Sequence, residues 1–369
     1  MRNIKNISFF LTYGIIVLVK HMKRIKYILL LVCCIFTLSS CSILISTSNT
    51  TTQTTKTSYT TLTGSYTLPD SDNPGGIKIT FDLGDGKTYE TTTTKSNYVL
   101  TPNDPQRPFA TFKGWYYNNE PFNFNNKVTQ EITIKAVWEY DYTELVNYVY
   151  KNTIKACVKI ETYASNNSFF SRVYSDSIGS GIIFDEDSTY YYCLTNNHVV
   201  YYDSSKYSSV EYRVYDCYQN VYGDSSIKNY KHTALIGALP EYDLALLRFE
   251  KDEKELTVVN MADNSKAELV FSLGNPKSLA NAISFGETTG YKTFTPKEET
   301  IEKSNVTFDV LTHTSEIDNG SSGGALLNYN LELVGINFAS SVASSTGEFI
   351  RGYAIPIEKV KEFIERYKA

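Results

Sequence analysis

The sequence predicts a mainly β chain: a small β module, then a larger all-β body closed by one helix. Three observations carry this. Short alternating apolar segments recur every ten to twenty residues or so from Ile77 onward. Clusters of Gly, Pro, Asn and Asp separate them, each suited to a turn. Thirty tyrosines favour strands over helices. A length of 369 residues implies more than one folded unit, and 42% hydrophobic residues suffice for a real core. The net charge of −5 leaves no basic footprint for nucleic acid, which excludes that class of partner.

The N-terminus reads as an address. "MKRIKYILLLVCCIFTLSSC" runs from Met22 to Cys41, with a basic start and an apolar stretch too short for a comfortable membrane span. Residues 1–21 read as an upstream extension and 22–40 as the signal. From Cys41 to residue 76 the chain is rich in Thr and Ser. Such a segment cannot bury enough surface to order itself and reads as a flexible tether.

Residues 77–139 form the small module. Turn signals "LGDGK", "TPNDPQRP" and "NNEP" separate short strands. Trp115 and Trp138, the chain's two tryptophans, supply the core that so small a domain needs.

The body spans residues 142–369. "DYTELVNYVYKN" predicts a short helix with Leu145, Tyr148 and Val149 on one face. Ten strand segments follow, from "KACVKIETY" to "RGYAIPI", and "IEKVKEFIERYK" predicts a closing helix. The spacing suits a barrel or sandwich, and the length suffices for two six-stranded barrels. Cys157, Cys193 and Cys217 have no metal-like spacing and read as small buried thiols. A Cys157–Cys193 or Cys193–Cys217 bridge is the alternative.

"DNGSSGGALLN", Asp318 to Asn328, sets two serines among glycines. A Gly/Ser cluster is commonly a turn, but it also suits a nucleophile on a tight loop with exposed N–H groups. The second reading needs a base and an orienting acid. His198 lies at the end of the apolar strand in "YYYCLTNNHVV". Asp243 opens "DLALLRF", where a charge is costly to bury without a partner such as an imidazolium. A serine hydroxyl is nearly inert at its own pKa and needs a base titrating near neutrality. His198, Asp243 and Ser322 fill those roles, in the chain order of chymotrypsin-like proteases. The N–H groups of the Gly320, Ser321 and Ser322 stretch then form an oxyanion hole. His232 and His313 are the competing bases, and both read as structural.

Two regions resemble known families. "ITFDLGDG", "PNDPQRP", "FKGWYYN" and "ITIKAVWE" resemble the internalin-type B repeat, which implies a small β-grasp-like domain with a spacer or adhesive role. "GSGIIFDEDSTYYYCLTNNHVV", "YDLALLRF", "SLGNP", "GSSGGALLN" and "GYAIPIEKVKEFI" resemble the HtrA/Deg type of trypsin-like serine protease. That resemblance implies a chymotrypsin-like double β-barrel cleaving peptide bonds through an acyl-enzyme, without cofactor or metal. "LSSC" resembles a bacterial lipobox, which implies lipid on Cys41 and a place on the outer side of the cell membrane.

The departures are informative. Ser321 stands where digestive relatives carry an Asp that pairs with a freshly cut N-terminus. Asn319 replaces a common proline, and Thr314 a common Asp. No PDZ domain is expected after the closing helix. Glu316 and Ile317 fall where this fold lines its first specificity pocket: Glu316 would favour basic side chains, Ile317 small aliphatic ones, and Ile317 is preferred. Asn337, Phe338 and Ala339 resemble the edge segment that pairs with an extended substrate. The partners expected are therefore protein or peptide substrates and, through the lipid, a membrane. Nothing in the sequence specifies an oligomeric state. The alternatives are a surface-binding protein on an inactive protease fold, which a complete triad argues against, and another acyl hydrolase on this fold.

Overall fold

The computed structural model describes residues 66–69, 71, 73–167, 172–276, 282–295 and 298–367. The expected signal, the lipobox cysteine and most of the tether lie outside these residues. No helix among the described residues is long and apolar enough to cross a membrane.

The small module is one five-stranded sheet. It is built from β1 (Lys78–Asp82), β2 (Thr88–Thr92), β3 (Ala110–Tyr117), β4 (Glu120–Pro121) and β5 (Ile132–Tyr140) in the order β2-β1-β5-β3-β4. Strands β1 and β5 run parallel at its centre, and the other pairs are antiparallel. Ile79, Phe81, Ile134 and Trp115 form the core, on one face of each strand as the period of two requires. Tyr66 lies 5.6 Å from Trp115, centroid to centroid, and Leu68 packs on the same core. The tether expected over 41–76 therefore ends earlier than the sequence reading placed it.

The body begins with α1 (Tyr142–Lys151), capped by Asp141, whose Oδ1 accepts from Glu144 N at 3.0 Å. Leu145 and Val149 are its buried residues. A seven-stranded sheet follows: β6 (Cys157–Asn167), β7 (Arg172–Glu186), β8 (Tyr190–Thr195), β9 (Ser209–Tyr215), β10 (Val221–Tyr222), β11 (Thr233–Leu239) and β12 (Leu244–Glu250), with the short helix α2 (Asn197–Val200) after β8. Its order is β10-β9-β6-β7-β8-β12-β11, and its two edges meet where Gly223 N donates to Lys231 O at 2.8 Å. The second sheet is a closed barrel of β13 (Leu269–Gly274), β14 (Ala282–Thr293), β15 (Asp309–His313), β16 (Ala325–Asn328), β17 (Leu333–Val342) and β18 (Phe349–Pro356). Helix α3 (Ile357–Glu365) closes the chain, burying Ile357, Val360, Phe363 and Ile364.

This is the chymotrypsin-like double barrel, with one correction: the first half is a curled, incompletely closed sheet of seven strands, not a closed barrel of six. Strands β14 and β16 had no counterpart in the sequence reading. β14 carries polar and glycine residues and is exposed over its second half, and β16 is four residues inside the Gly/Ser cluster. Cys157, Cys193 and Cys217 are free thiols, so neither possible bridge forms. Burial pushes the Cys157 thiol up to about 12 and raises that of Cys193 as well, so both stay protonated and unreactive.

The module does not hang free of the body. Arg107, 8% exposed, lies between the rings of Trp138 (4.4 Å) and Tyr329 (4.8 Å). It donates to Leu83 O at 2.8 Å and faces Asp85 Oδ2 at 3.5 Å. Asn330 Nδ2 donates to the same Asp85 oxygen at 3.1 Å, and Tyr329 OH donates to Pro108 O. The exposed Lys135–Glu268 pair adds little beside this buried cluster. Arg107→Ala leaves Asp85 buried without its cation. A loss of about 3 kcal/mol of stability is expected, read as a lower denaturant midpoint. An unchanged midpoint would refute the clamp.

Candidate active site

The three residues singled out from the sequence come from three connections between strands. His198 sits in α2, where the chain leaves β8. Asp243 closes a turn in which its own N donates to Pro240 O at 3.1 Å, just before β12. Its φ of +48° is unfavourable for a residue with a side chain. Asn196 holds that conformation by donating its Nδ2 to Asp243 O at 2.9 Å.

Asp243 is fully buried, and its carboxylate is spent on one residue. His198 N donates to Oδ1 at 3.0 Å, and His198 Nδ1 lies 2.8 Å from Oδ2 and 3.1 Å from Oδ1. A carboxylate against Nδ1 fixes the proton on that nitrogen and leaves Nε2 as the acceptor. Thr162 Oγ1 donates to Val199 O at 2.8 Å and anchors the helix to β6.

Ser322 lies on the loop between β15 and β16. Its carbonyl accepts from Ser180 N of β7 at 2.7 Å, which ties the second barrel to the first sheet. A Cβ on Gly179 would fall 2.5 Å from the Val199 side chain and 3.0 Å from Ser322 O, so the histidine helix and the serine loop both press on that glycine. Among the described residues no hydrogen bond joins Ser322 Oγ to His198 Nε2. Bonds of this kind are often long in the free enzyme and tighten with substrate.

The loop's backbone separates the three expected oxyanion donors. Ser321 N donates to Asp318 O at 2.9 Å, so it is consumed by the turn. This corrects the inclusion of Ser321: a bonded N–H cannot also receive an oxyanion. The N–H groups of Gly320 and Ser322 have no partner among the described residues. Gly320 has φ +93° and Gly323 φ +82°. At Gly323 a Cβ would meet Ser180 O and Thr195 Oγ1, each at 2.2 Å, so no other residue fits there.

A cavity of about 240 Å³ opens beside the loop. Glu316, Ile317, Ser321 and Asn337 line it together with Leu273 and Ile283. Glu316 is exposed and Ile317 buried. Of the expected edge segment, Asn337 alone reaches the cavity. Phe338 instead packs on Phe294 at 5.0 Å, at a bulge in the pairing of β17 with β18. Strand β16 pairs with β17 only as far as Ile336, so Ala339 lies on a stretch whose far edge has no strand beside it among the described residues.

The competing histidines lie elsewhere. His232 is exposed beside Tyr230. His313 is fully buried on β15, its ring against Gly352, and neither ring nitrogen has a well-formed hydrogen bond. Burial pushes this imidazole down to about 4, against weaker opposing pulls from the Ser315 backbone and the Asn337 side chain. Its folded pKa thus lies below the unfolded value near 6.5, and unfolding takes up a proton between the two. The stability it contributes is full above about pH 6.5 and is lost as pH falls towards 4, at up to about 1.4 kcal/mol per pH unit. His313→Gln is expected to flatten the fall in urea midpoint between pH 7 and 4.5. Parallel curves for the two proteins would refute this.

No group of His, Cys, Asp and Glu among the described residues could hold a metal ion. Sequence reasoning missed Ser180 and Asn196. The only available signal for Ser180 was its place between two glycines in "GSG".

Comparison with known proteins bears on the same residues. The model of a trypsin-like peptidase domain matches residues 179–336. Periplasmic serine endoprotease DegP of Escherichia coli (strain K12) is 30% identical over 191 residues, 50% of this chain and 34% of the relative. Serine protease Do-like HtrA of Bacillus subtilis (strain 168) is 30% identical over 213 residues, 54% of this chain and 43% of the relative. The chain thus spans less than half the length of these relatives. A solved HtrA-type protease with a tripeptide aligns with TM-score 0.43 and 23% identity, covering 60% of this chain and 62% of that one.

Proposed function

We propose that this chain, which contains a trypsin-like peptidase domain and resembles DegP and HtrA proteases, is a serine endopeptidase. The observation that carries the reading is the buried Asp243 carboxylate bracketing His198 Nδ1, beside a loop whose Gly320 and Ser322 N–H groups have no partner among the described residues. Ser322 Oγ attacks the scissile carbonyl and His198 Nε2 takes its proton. Asp243 stabilises the imidazolium that forms. The carbonyl oxygen becomes an oxyanion and is received by the N–H groups of Gly320 and Ser322, each such donor being worth about 3 kcal/mol of barrier. Collapse expels the amine, which takes the proton from His198. Water then enters by the same route in reverse and frees Ser322.

The free edge of β17 suits an extended backbone, so substrates are unfolded or locally extended protein segments. The cavity beside Ile317 and Asn337 receives the first side chain. The test is a fluorophosphonate probe and casein, applied to the chain from residue 42 onward. Label on the peptide that contains Ser322, together with casein fragments, is the expected result. A chain that takes no label and leaves casein intact would sink the reading.

The wider placement rests on sequence. The segment before Cys41 directs export, Cys41 carries the lipid, and the enzyme acts on the outer side of the cell membrane. Incorporation of labelled palmitate that persists in Cys41→Ala would exclude this anchor.

A further inference from the structure

We propose that Ser180 is a positioning residue that holds the oxyanion hole in its productive shape; this rests on the peptidase reading above. Ser180 is fully buried on β7, and the chain is forced to place it where it is. A Cβ on Gly179 would fall 2.5 Å from Val199, and one on Gly181 would fall 2.5 Å from Cys193 Sγ. Both neighbours are therefore pressed against the first half of the molecule, Gly179 also lying close to the Ser322 carbonyl. Strand alternation sends the Ser180 side chain to the other face, towards the second barrel.

There Ser180 grips two residues at once. Its N donates to Ser322 O at 2.7 Å, and its Oγ donates to Gly320 O at 2.7 Å. These are the two residues whose own N–H groups form the proposed hole. A hydroxyl has one proton to give. Asn275 N donates to the same Oγ at 2.8 Å and fills an acceptor position, so that proton is committed to Gly320. Thr195 Oγ1 donates to Ser180 O at 2.7 Å and steadies the strand itself.

The grip matters because Gly320 has no Cβ to restrict it. A rotated peptide would point a carbonyl oxygen, not an N–H, at the developing negative charge. The peptide between Gly320 and Ser321 is pinned at both ends, its oxygen by Ser180 and its N–H by Asp318 O. The Gly320 N–H is then carried by a residue with one end fixed. Remove the hydroxyl and one of these two pins is lost, while the Ser180 N bond to Ser322 O remains.

The test compares the parent, Ser180→Ala and Ser180→Cys, which has similar volume and a weaker donor. A fluorophosphonate titration first counts competent sites. The expected result for Ser180→Ala is a kcat lowered about tenfold to hundredfold with KM within about twofold, since part of an oxyanion donor's effect is lost. Affinity for a peptide boronate, which mimics the tetrahedral state, falls by the same factor, and Ser180→Cys lies between. A merely structural role would instead lower the count of competent sites or the melting temperature and leave kcat per site unchanged. That result, or a kcat per site equal to the parent's, overturns the inference and leaves the peptidase reading intact. A parent that neither labels nor turns over sinks both.

Discussion

Ser322→Ala is expected to lower turnover of an unstructured protein by about 10⁶, with little change in apparent substrate affinity. The reason is chemical. Without Oγ no acyl-enzyme forms, and His198 is left as a base with nothing to activate at the right distance. Substrate contacts remain, because the free edge of β17 and the cavity beside Ile317 do not involve the hydroxyl. A residual rate above the uncatalysed one is expected, since the Gly320 and Ser322 N–H groups still receive an oxyanion formed by attacking water. The check is a rate measured on sites counted in the parent by fluorophosphonate. A variant that cleaves at a tenth of the parent's rate or better would show that Ser322 is not the nucleophile.

Asp243→Asn is expected to cost about 10⁴ in kcat. Shape is nearly unchanged, so the loss reports proton placement. The carboxylate faces His198 Nδ1 with both oxygens, at 2.8 and 3.1 Å, and both can only accept. An amide in that position offers an N–H to Nδ1 and drives the ring proton to Nε2. The nitrogen facing Ser322 can then no longer take a proton. Stability also falls, because Asp243 is fully buried and Oδ1 accepts the His198 N–H as well. The discriminating measurement is the pH–rate profile: partial recovery of rate at alkaline pH, where hydroxide can deprotonate serine directly, is expected of the tautomer account. A flat loss at every pH would point to misfolding of the turn.

A surface-binding protein on an inactive protease fold would show neither loss of rate. Such a protein gains nothing from burying an aspartate at φ +48° against a histidine. Backbone strain of this kind costs on the order of 1–3 kcal/mol and persists where the surrounding structure imposes it. Asn196 and the turn at Pro240 supply that imposition here.

Much of the candidate site was legible along the chain because its parts announce themselves locally. A charged residue ahead of "LALL", a histidine ending an apolar strand and a serine between glycines are each unusual within a few residues of sequence. Their order narrows the chemistry further. Most strands were legible for the same reason, since alternation is a property of neighbours. The failures fall where neighbours mislead. β16 hides in a glycine-rich run, and β14 is polar because its second half is exposed to water at nearly every position.

Other features depend on partners far away in sequence, and no local pattern encodes them. Ser321 is excluded from the oxyanion hole by a turn bond whose geometry exists only once the loop is closed. Ser180 meets Gly320 140 positions further on, and Arg107 meets Tyr329 across the face of a separate module. A lone serine or arginine reads the same whether it is buried or solvated, because its residue type sets only which bonds it can make. Composition and local spacing thus specified most of the strands, the buried thiols Cys157 and Cys193 though not the half-buried Cys217, and the chemical types needed for acyl transfer. Packing between distant segments selected which N–H groups stay free, which hydroxyl holds them there, and that the small module is clamped to the barrel it precedes.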